Sequence, residues 1–171
     1  MLADTILSAS ELTELWRQCG QNDALPERYE MTEHGEVIMR PSPTNRHQRV
    51  CTAIAIQLQK QLGGEAVVEA AVLTRDAGVR IPDVVWMPAA RWALLTPEND
   101  LLQAPELVVE VLSPDDRRTE TPHKLRAYLA SGTTEVLVVG LDGNLAFHRA
   151  DGVHTHSSFG VTLALAPELF S

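Results

Sequence analysis

A carboxylate in the middle of a strand that water does not reach constrains this chain more than any other feature. The stretch "PELVVEVLSPDD", residues 105–116, sets Glu110 between Leu107, Val108, Val109 and Val111, Leu112. The run does not alternate with polar residues, so it reads as a strand buried on both faces. A charge there costs roughly several kcal/mol unless a hydrogen bond, a counter-charge or a metal compensates it. Whatever the fold, it must bring Glu110 a partner.

A second acid stands in an equally apolar run. Asp83 in "VRIPDVVWM" follows Pro82, which favours a strand's start, an edge or a bulge over a central paired position. "EAVVEAAVLT" and "GVRIPDVVWMP" flank a turn signal at Asp76, Ala77 and Gly78, and so predict an antiparallel pair beside the Glu110 strand. Two carboxylates on neighbouring strands can share a divalent cation, and oxygen-only ligands suit Mg²⁺ or Mn²⁺ rather than zinc. Either acid alone is explained as well by an arginine such as Arg80, or by a strand end facing water; the two together point to a metal. Lys124 is the third element. It lies in the first turn of the next predicted helix, where a cation opposes the helix dipole by ~0.3–1 kcal/mol. It reads either as an exposed partner of Glu120 or as an ammonium placed to act on developing phosphoryl charge.

Around these residues the chain resolves into a mixed α/β order. Ser8 and Glu11 have capping-box spacing and predict a short opening helix within an N-terminal extension, residues 1–26. "RYEMTEHGEVIMRP" predicts a hairpin turning at Glu33, His34 and Gly35. Thr44 or Asn45 caps a helix running to Gly63 and Gly64, with His47 at the start of its apolar stripe. Thr121 is the expected cap of "HKLRAYLAS", which stops at Gly132; there Leu125 and Leu129 make the buried face, and Lys124 and Tyr128 lie one turn apart beside it. "TEVLVVGL" is a further buried strand, and the turns "LDGN" and "ADG" begin a C-terminal meander ending near Phe170. The expectation is one domain over residues 1–171: a mixed β-sheet flanked by helices, with an extra N-terminal hairpin and C-terminal strands.

Composition bounds the function. The chain has 171 residues, 44% of them hydrophobic, enough for a real core. No apolar run approaches the ~18 residues of a membrane span and the N-terminus lacks a leader pattern, so a cytoplasmic protein without a membrane partner is expected. Cys19 and Cys51 have no metal-ligand spacing and read as reduced thiols. With 14 Lys plus Arg against 23 Asp plus Glu, the net charge of −9 is the wrong sign for coating nucleic acid. Any such contact is local. Basic residues gather in "RPSPTNRHQR" and "RRTETPHKLR", making Arg46, Arg117 and Arg118, with Arg80, the candidates; solvated faces explain them equally well. His154 and His156 could ligate zinc at i, i+2, but no third ligand has suggestive spacing.

The quoted stretches "ERYEMTEHGEVIMRPSP", "RIPDVVWMP", "PELVVEVLSP", "HKLRAYLASGTTEVLVV" and "LALAPELF", together with His47, resemble the Uma-type putative restriction endonuclease family, a domain of unknown function within the PD-(D/E)XK nuclease superfamily. The resemblance runs from about Glu27 onward. It implies a restriction-endonuclease-like fold in which Asp83 and Glu110 bind Mg²⁺ and a lysine completes the site. The usual lysine position, two residues after the second acid, holds Leu112, and Lys124 on the next helix matches the Uma-type pattern instead. Glu36 would be an outer metal contact and His47 a phosphate or water ligand, with Ser113 and Tyr128 as accessory residues. The implied activity is Mg²⁺-dependent hydrolysis of DNA. The alternative is a nuclease fold kept as a binding or interaction module. Hydrophobic C-terminal strands and an exposed-looking Trp86 and Trp92 segment suggest a homodimer.

Overall fold

Helix α1 (Ala9–Cys19) opens on the expected capping box: Ser8 Oγ accepts from Glu11 N, and the Glu11 carboxylate accepts from Ser8 N. The structure is a computed structural model and describes residues 5–98, 101–116 and 119–171. Strands β1 (Tyr29–Met31) and β2 (Val37–Met39) form the expected hairpin, and Gly35 takes φ 82° at its turn. Helix α2 (Asn45–Leu62) follows, capped by Thr44, whose hydroxyl accepts from His47 N.

The two apolar runs around Gly78 do pair antiparallel, but as four short strands rather than two long ones. β3 (Glu65–Val68) pairs with β6 (Val84–Met87), and β4 (Val72–Leu73) with β5 (Val79–Arg80). The ladder breaks where Glu69 adopts φ 54° on one side and Pro82, lacking an N–H, interrupts the other. This break divides what the sequence suggested as one sheet into two. A short turn, α3 (Ala89–Trp92), then β7 (Leu102–Gln103), β8 (Leu107–Val111), α4 (Glu120–Ala130), β9 (Glu135–Val139), β10 (Leu145–Arg149) and β11 (Gly152–His154) complete the order.

The smaller sheet runs β2-β1-β5-β4-β7 and the larger β11-β10-β9-β8-β6-β3. Both are mixed: β4 with β7 and β8 with β9 are parallel, the other pairs antiparallel. Alternation along β8 sends Leu107, Val109 and Val111 into a core with Val50, Cys51, Ile54 and Leu58 of α2, while Val108 packs with Tyr128 of α4. Helix α1 covers the smaller sheet through Leu12, packed with Met31 and Val79.

Three details depart from the sequence reading. Helix α4 begins at Glu120 rather than after Thr121, Thr119 makes no side-chain cap bond, and its buried residues are Ala127 and Tyr128, with Leu125 and Leu129 only partly covered. After β11 no further strand forms; the chain instead runs along α2, where Gln57 and Gln61 each exchange two hydrogen bonds with the backbone of Ala164 and Thr162. Trp86 is not exposed: it is buried and donates to Gly63 O, and Trp92 is partly buried and donates to Glu65 O, so this segment offers no ground for a homodimer. Among the described residues no helix is long and apolar enough to cross a membrane.

Gly78 joins the two hairpins of the smaller sheet. At φ 74° a β-carbon there would stand 2.2 Å from Met31 O. Gly78→Ala should lower unfolding free energy by about 1–3 kcal/mol in urea titrations; an unchanged midpoint would show that β1 and β5 can separate at no cost.

Candidate active site

Asp83 is the first residue after the Pro82 interruption and directly precedes β6. The β6–β8 pairing runs to Val84 with Val109, and Asp83 lies just beyond it, still hydrogen-bonded to β8 and near enough for its charge to act on Glu110. Asp83 N donates to Val109 O at 3.1 Å, and its Oδ2 accepts from Val111 N at 2.6 Å. Its Oδ1 lies 3.0 Å from His47 Nε2. Both carboxylates are buried, and His47 is the more exposed partner of Asp83.

Glu110 accepts a hydrogen bond from Tyr128 Oη at 2.9 Å. Burial pushes its carboxyl up to about 8; the Lys124 ammonium opposes this, and the neighbouring Asp83 and Glu30 charges add to it. Lys124 itself is held charged. Burial works against its ammonium, but Glu110 and Glu30 outweigh that and raise its pKa. Tyr128 is raised well above its ordinary value, by burial first and then by Glu110. The Asp83 hydrogen bond lifts His47, with burial opposing.

The partner of Lys124 is an acid that sequence reasoning missed. Glu30 of β1 is 1% exposed and accepts from Lys124 Nζ at 3.0 Å, from Ile81 N at 2.9 Å and from Arg80 Nη1 at 3.2 Å, with Arg40 Nε at 3.7 Å. Burial would raise its pKa, yet Lys124, Ile81 N–H and Arg80 together lower it. The signal was present, an acid between Tyr29 and Met31, but in a hairpin such a residue ordinarily faces water. Lys124 also stands 3.8 Å from Glu120, the partner its helical spacing suggests.

Other expected residues lie elsewhere. Glu36 is exposed beside the hairpin turn, where its backbone pairs with Thr32. Arg80 is buried, and its guanidinium is committed to Glu30 and to Ala77 O, so it presents no surface to nucleic acid. Arg46 is exposed in the first turn of α2. Ser113 is half-buried after β8 and donates its N–H to Asp116. Arg117 and Arg118 lie outside the described residues. His154 Nε2 contacts Asp151 and His156 Nδ1 contacts Thr155, not a common centre.

Cys51 is a free, buried thiol as expected, but its neighbours were not foreseen. It stands one helical turn after His47, and a His47 ring nitrogen, Cys51 Sγ and an Asp83 oxygen lie within 4.8 Å of one another. Among the described residues this is the group of three that could hold a metal ion. Its signal was the His-x-x-x-Cys spacing on a helix.

With this geometry in place, the comparisons with known proteins become informative. Residues 13–165 match Uma2, described as a putative restriction endonuclease. The chain belongs to this family. Five solved chains match as well. Among them is a putative nuclease belonging to DUF820 from Anabaena variabilis ATCC 29413, with a TM-score of 0.64 and 25% identity over 85% of this chain and 93% of that one. No curated protein matches. The Uma2 chain thus has a mixed α+β, nuclease-like fold, and family and fold together support nuclease activity.

The two buried glutamates should respond oppositely to neutralisation. Glu110 is raised above its unfolded value of 4.5, so the folded state binds the extra proton between about 4.5 and 8, and stability should fall as pH rises through that window. Glu110→Gln should flatten this fall in chelator-treated protein and leave the melting temperature at pH 8 equal or higher. Glu30→Gln should instead cost about 3–5 kcal/mol, since Lys124 and Arg80 lose their carboxylate. Equal losses from both would show that Glu110 is a structural ion-pair partner.

Proposed function

We propose that this Uma2 protein is a Mg²⁺-dependent endonuclease that hydrolyses DNA phosphodiester bonds, with Mn²⁺ able to replace Mg²⁺. The observation that carries this reading is two buried carboxylates, Asp83 against β8 and Glu110 within it, close enough for the charge of one to act on the other, beside a charged Lys124. The acids fit a hard cation. Both offer oxygen donors, and burial together with the Asp83 and Glu30 charges leaves Glu110 short of positive charge. A divalent ion held by Asp83 and Glu110 would supply Lewis acidity toward a phosphoryl oxygen and lower the pKa of a bound water.

The remaining chemistry belongs to the chain. Val111 N and His47 fix the Asp83 carboxylate, and Tyr128 orients Glu110. Lys124, kept charged and anchored by Glu30, supplies a cation to the negative charge that grows on the phosphoryl group. Phosphate contact is local, as the net charge requires: the first turn of α2 carries no acid, and Arg46 and Arg49 are exposed there beside His47. The chain acts as one catalytic domain, in the cytoplasm, and two copies would serve paired cuts in a duplex; Leu141 and Val153, exposed on the C-terminal meander, are the apolar surface open to such pairing.

A melt with chelator, Mg²⁺ or Mn²⁺, run beside a plasmid-nicking assay at low salt, tests this. The wild type should show a metal-dependent shift and nicking, and Asp83→Asn should lose both. Lys124→Ala should keep the shift and slow nicking by ~10²-fold or more. A shift without nicking would favour the binding-module reading, and no shift would remove the metal from the mechanism.

A further inference from the structure

We infer that His47, Cys51 and Asp83 form a binding site for a thiophilic divalent cation of the zinc class, sharing Asp83 with the proposed hard-cation position. The three donors are nitrogen, sulfur and oxygen, a set that suits zinc and cobalt and that Mg²⁺ does not seek. Rigid elements carry them. His47 and Cys51 project from one face of α2, whose first turn Thr44 caps through His47 N. Asp83 is pinned by its own N–H to Val109 and by Val111 N to Oδ2, which leaves Oδ1 directed at the His47 ring.

The spacing is close to what ligation needs. Ligand atoms around a tetrahedral zinc stand roughly 3.3–3.7 Å apart, from bond lengths of about 2.0–2.3 Å. Here His47 Nε2 and Asp83 Oδ1 are 3.0 Å apart and all three donors lie within 4.8 Å, so rotations on the order of an ångström suffice. Cys51 is buried among apolar side chains and carries its proton. On binding, the S–H bond breaks, the sulfur electron pair forms the metal–sulfur bond, and its proton leaves to solvent, as does any second proton on the His47 ring, which ligates only as neutral imidazole. Thiolate, carboxylate and a divalent ion then sum to zero charge in a buried site. Water completes the fourth position.

Occupancy has a consequence that rests on the nuclease reading: a zinc-class ion on Asp83 excludes Mg²⁺ from it and acts as a brake. Ligation itself is testable without DNA or turnover. Co²⁺ added to the chelator-stripped full chain should give a near-ultraviolet thiolate-to-cobalt charge-transfer band saturating at one equivalent, with release of at least about one proton. The band should vanish in Cys51→Ser, persist in Cys19→Ser, and require at least ~10-fold more Co²⁺ in His47→Ala, checked to be folded by its melt. No band in the wild type, a band that follows Cys19, or one unchanged in His47→Ala would overturn the site. If the band forms, one equivalent of Zn²⁺ should bleach it and suppress Mg²⁺-supported nicking. Bleaching with unaffected nicking would overturn the brake, whereas absent nicking beside an intact band would fault the nuclease reading and leave the site standing.

Discussion

The buried ion network around Glu30 holds the two halves of this structure in register. Glu30 and Arg80 belong to the smaller sheet and Lys124 to α4, which lies over the larger one. Tyr128, one turn further along α4, then touches Glu110. If Glu30 lost its partners, α4 could shift against the smaller sheet, and Lys124 and Tyr128 would move together relative to Glu110. The network therefore fixes the Glu110 end of the larger sheet from outside it. Buried pairs add little net stability, but breaking one is costly, which makes the arrangement hard to slip.

The three buried glutamates differ in how fully the chain itself answers their charge. Glu135 is fully buried at the start of β9, yet it accepts from Arg149, Ser157 Oγ and Ser158 N, a complete set of donors within the chain. Glu30 accepts from two cations, Lys124 and Arg80, and a backbone N–H, with Arg40 a third cation at 3.7 Å. Glu110 receives one neutral donor, Tyr128, and feels Lys124 only through space while two other acids push against it. Burial is common to all three; the count of donors separates them. A carboxylate left undersupplied in this way is where an external cation lowers the energy most.

Sequence made the local features legible because they follow from chemistry within a few residues. Thr44 as a cap, the hairpin at Gly35, and the apolar runs carrying Asp83 and Glu110 as neighbouring strands all follow from cap chemistry, turn glycine and strand pattern. The division into two sheets was not legible, since it depends on Glu69 taking a positive φ across from Pro82, and nothing in "VVEAAVL" announces that. Glu30 was missed for a different reason. Its partners lie 50 and 94 residues away, and a hairpin acid looks solvated until the second sheet covers it. Arg80 looked available for the same reason, from the other side of the same pair.

The break at Pro82 also explains why Asp83 can serve more than one neighbour. A residue inside a continuous ladder presents its side chain to one face, and its backbone is held on both sides. Because the proline separates β5 from β6, Asp83 sits between the two strands, its N–H on Val109 O, while its carboxylate reaches back to Val111 N and across to His47 on α2. The interruption that looks like a defect in the strand pattern thus draws α2, β6 and β8 to one carboxylate. With Glu110 bonded to Tyr128 on the α4 side and His47 and Cys51 on the α2 side, Asp83 stands between them, hydrogen-bonded to His47 and acting on Glu110 through its charge.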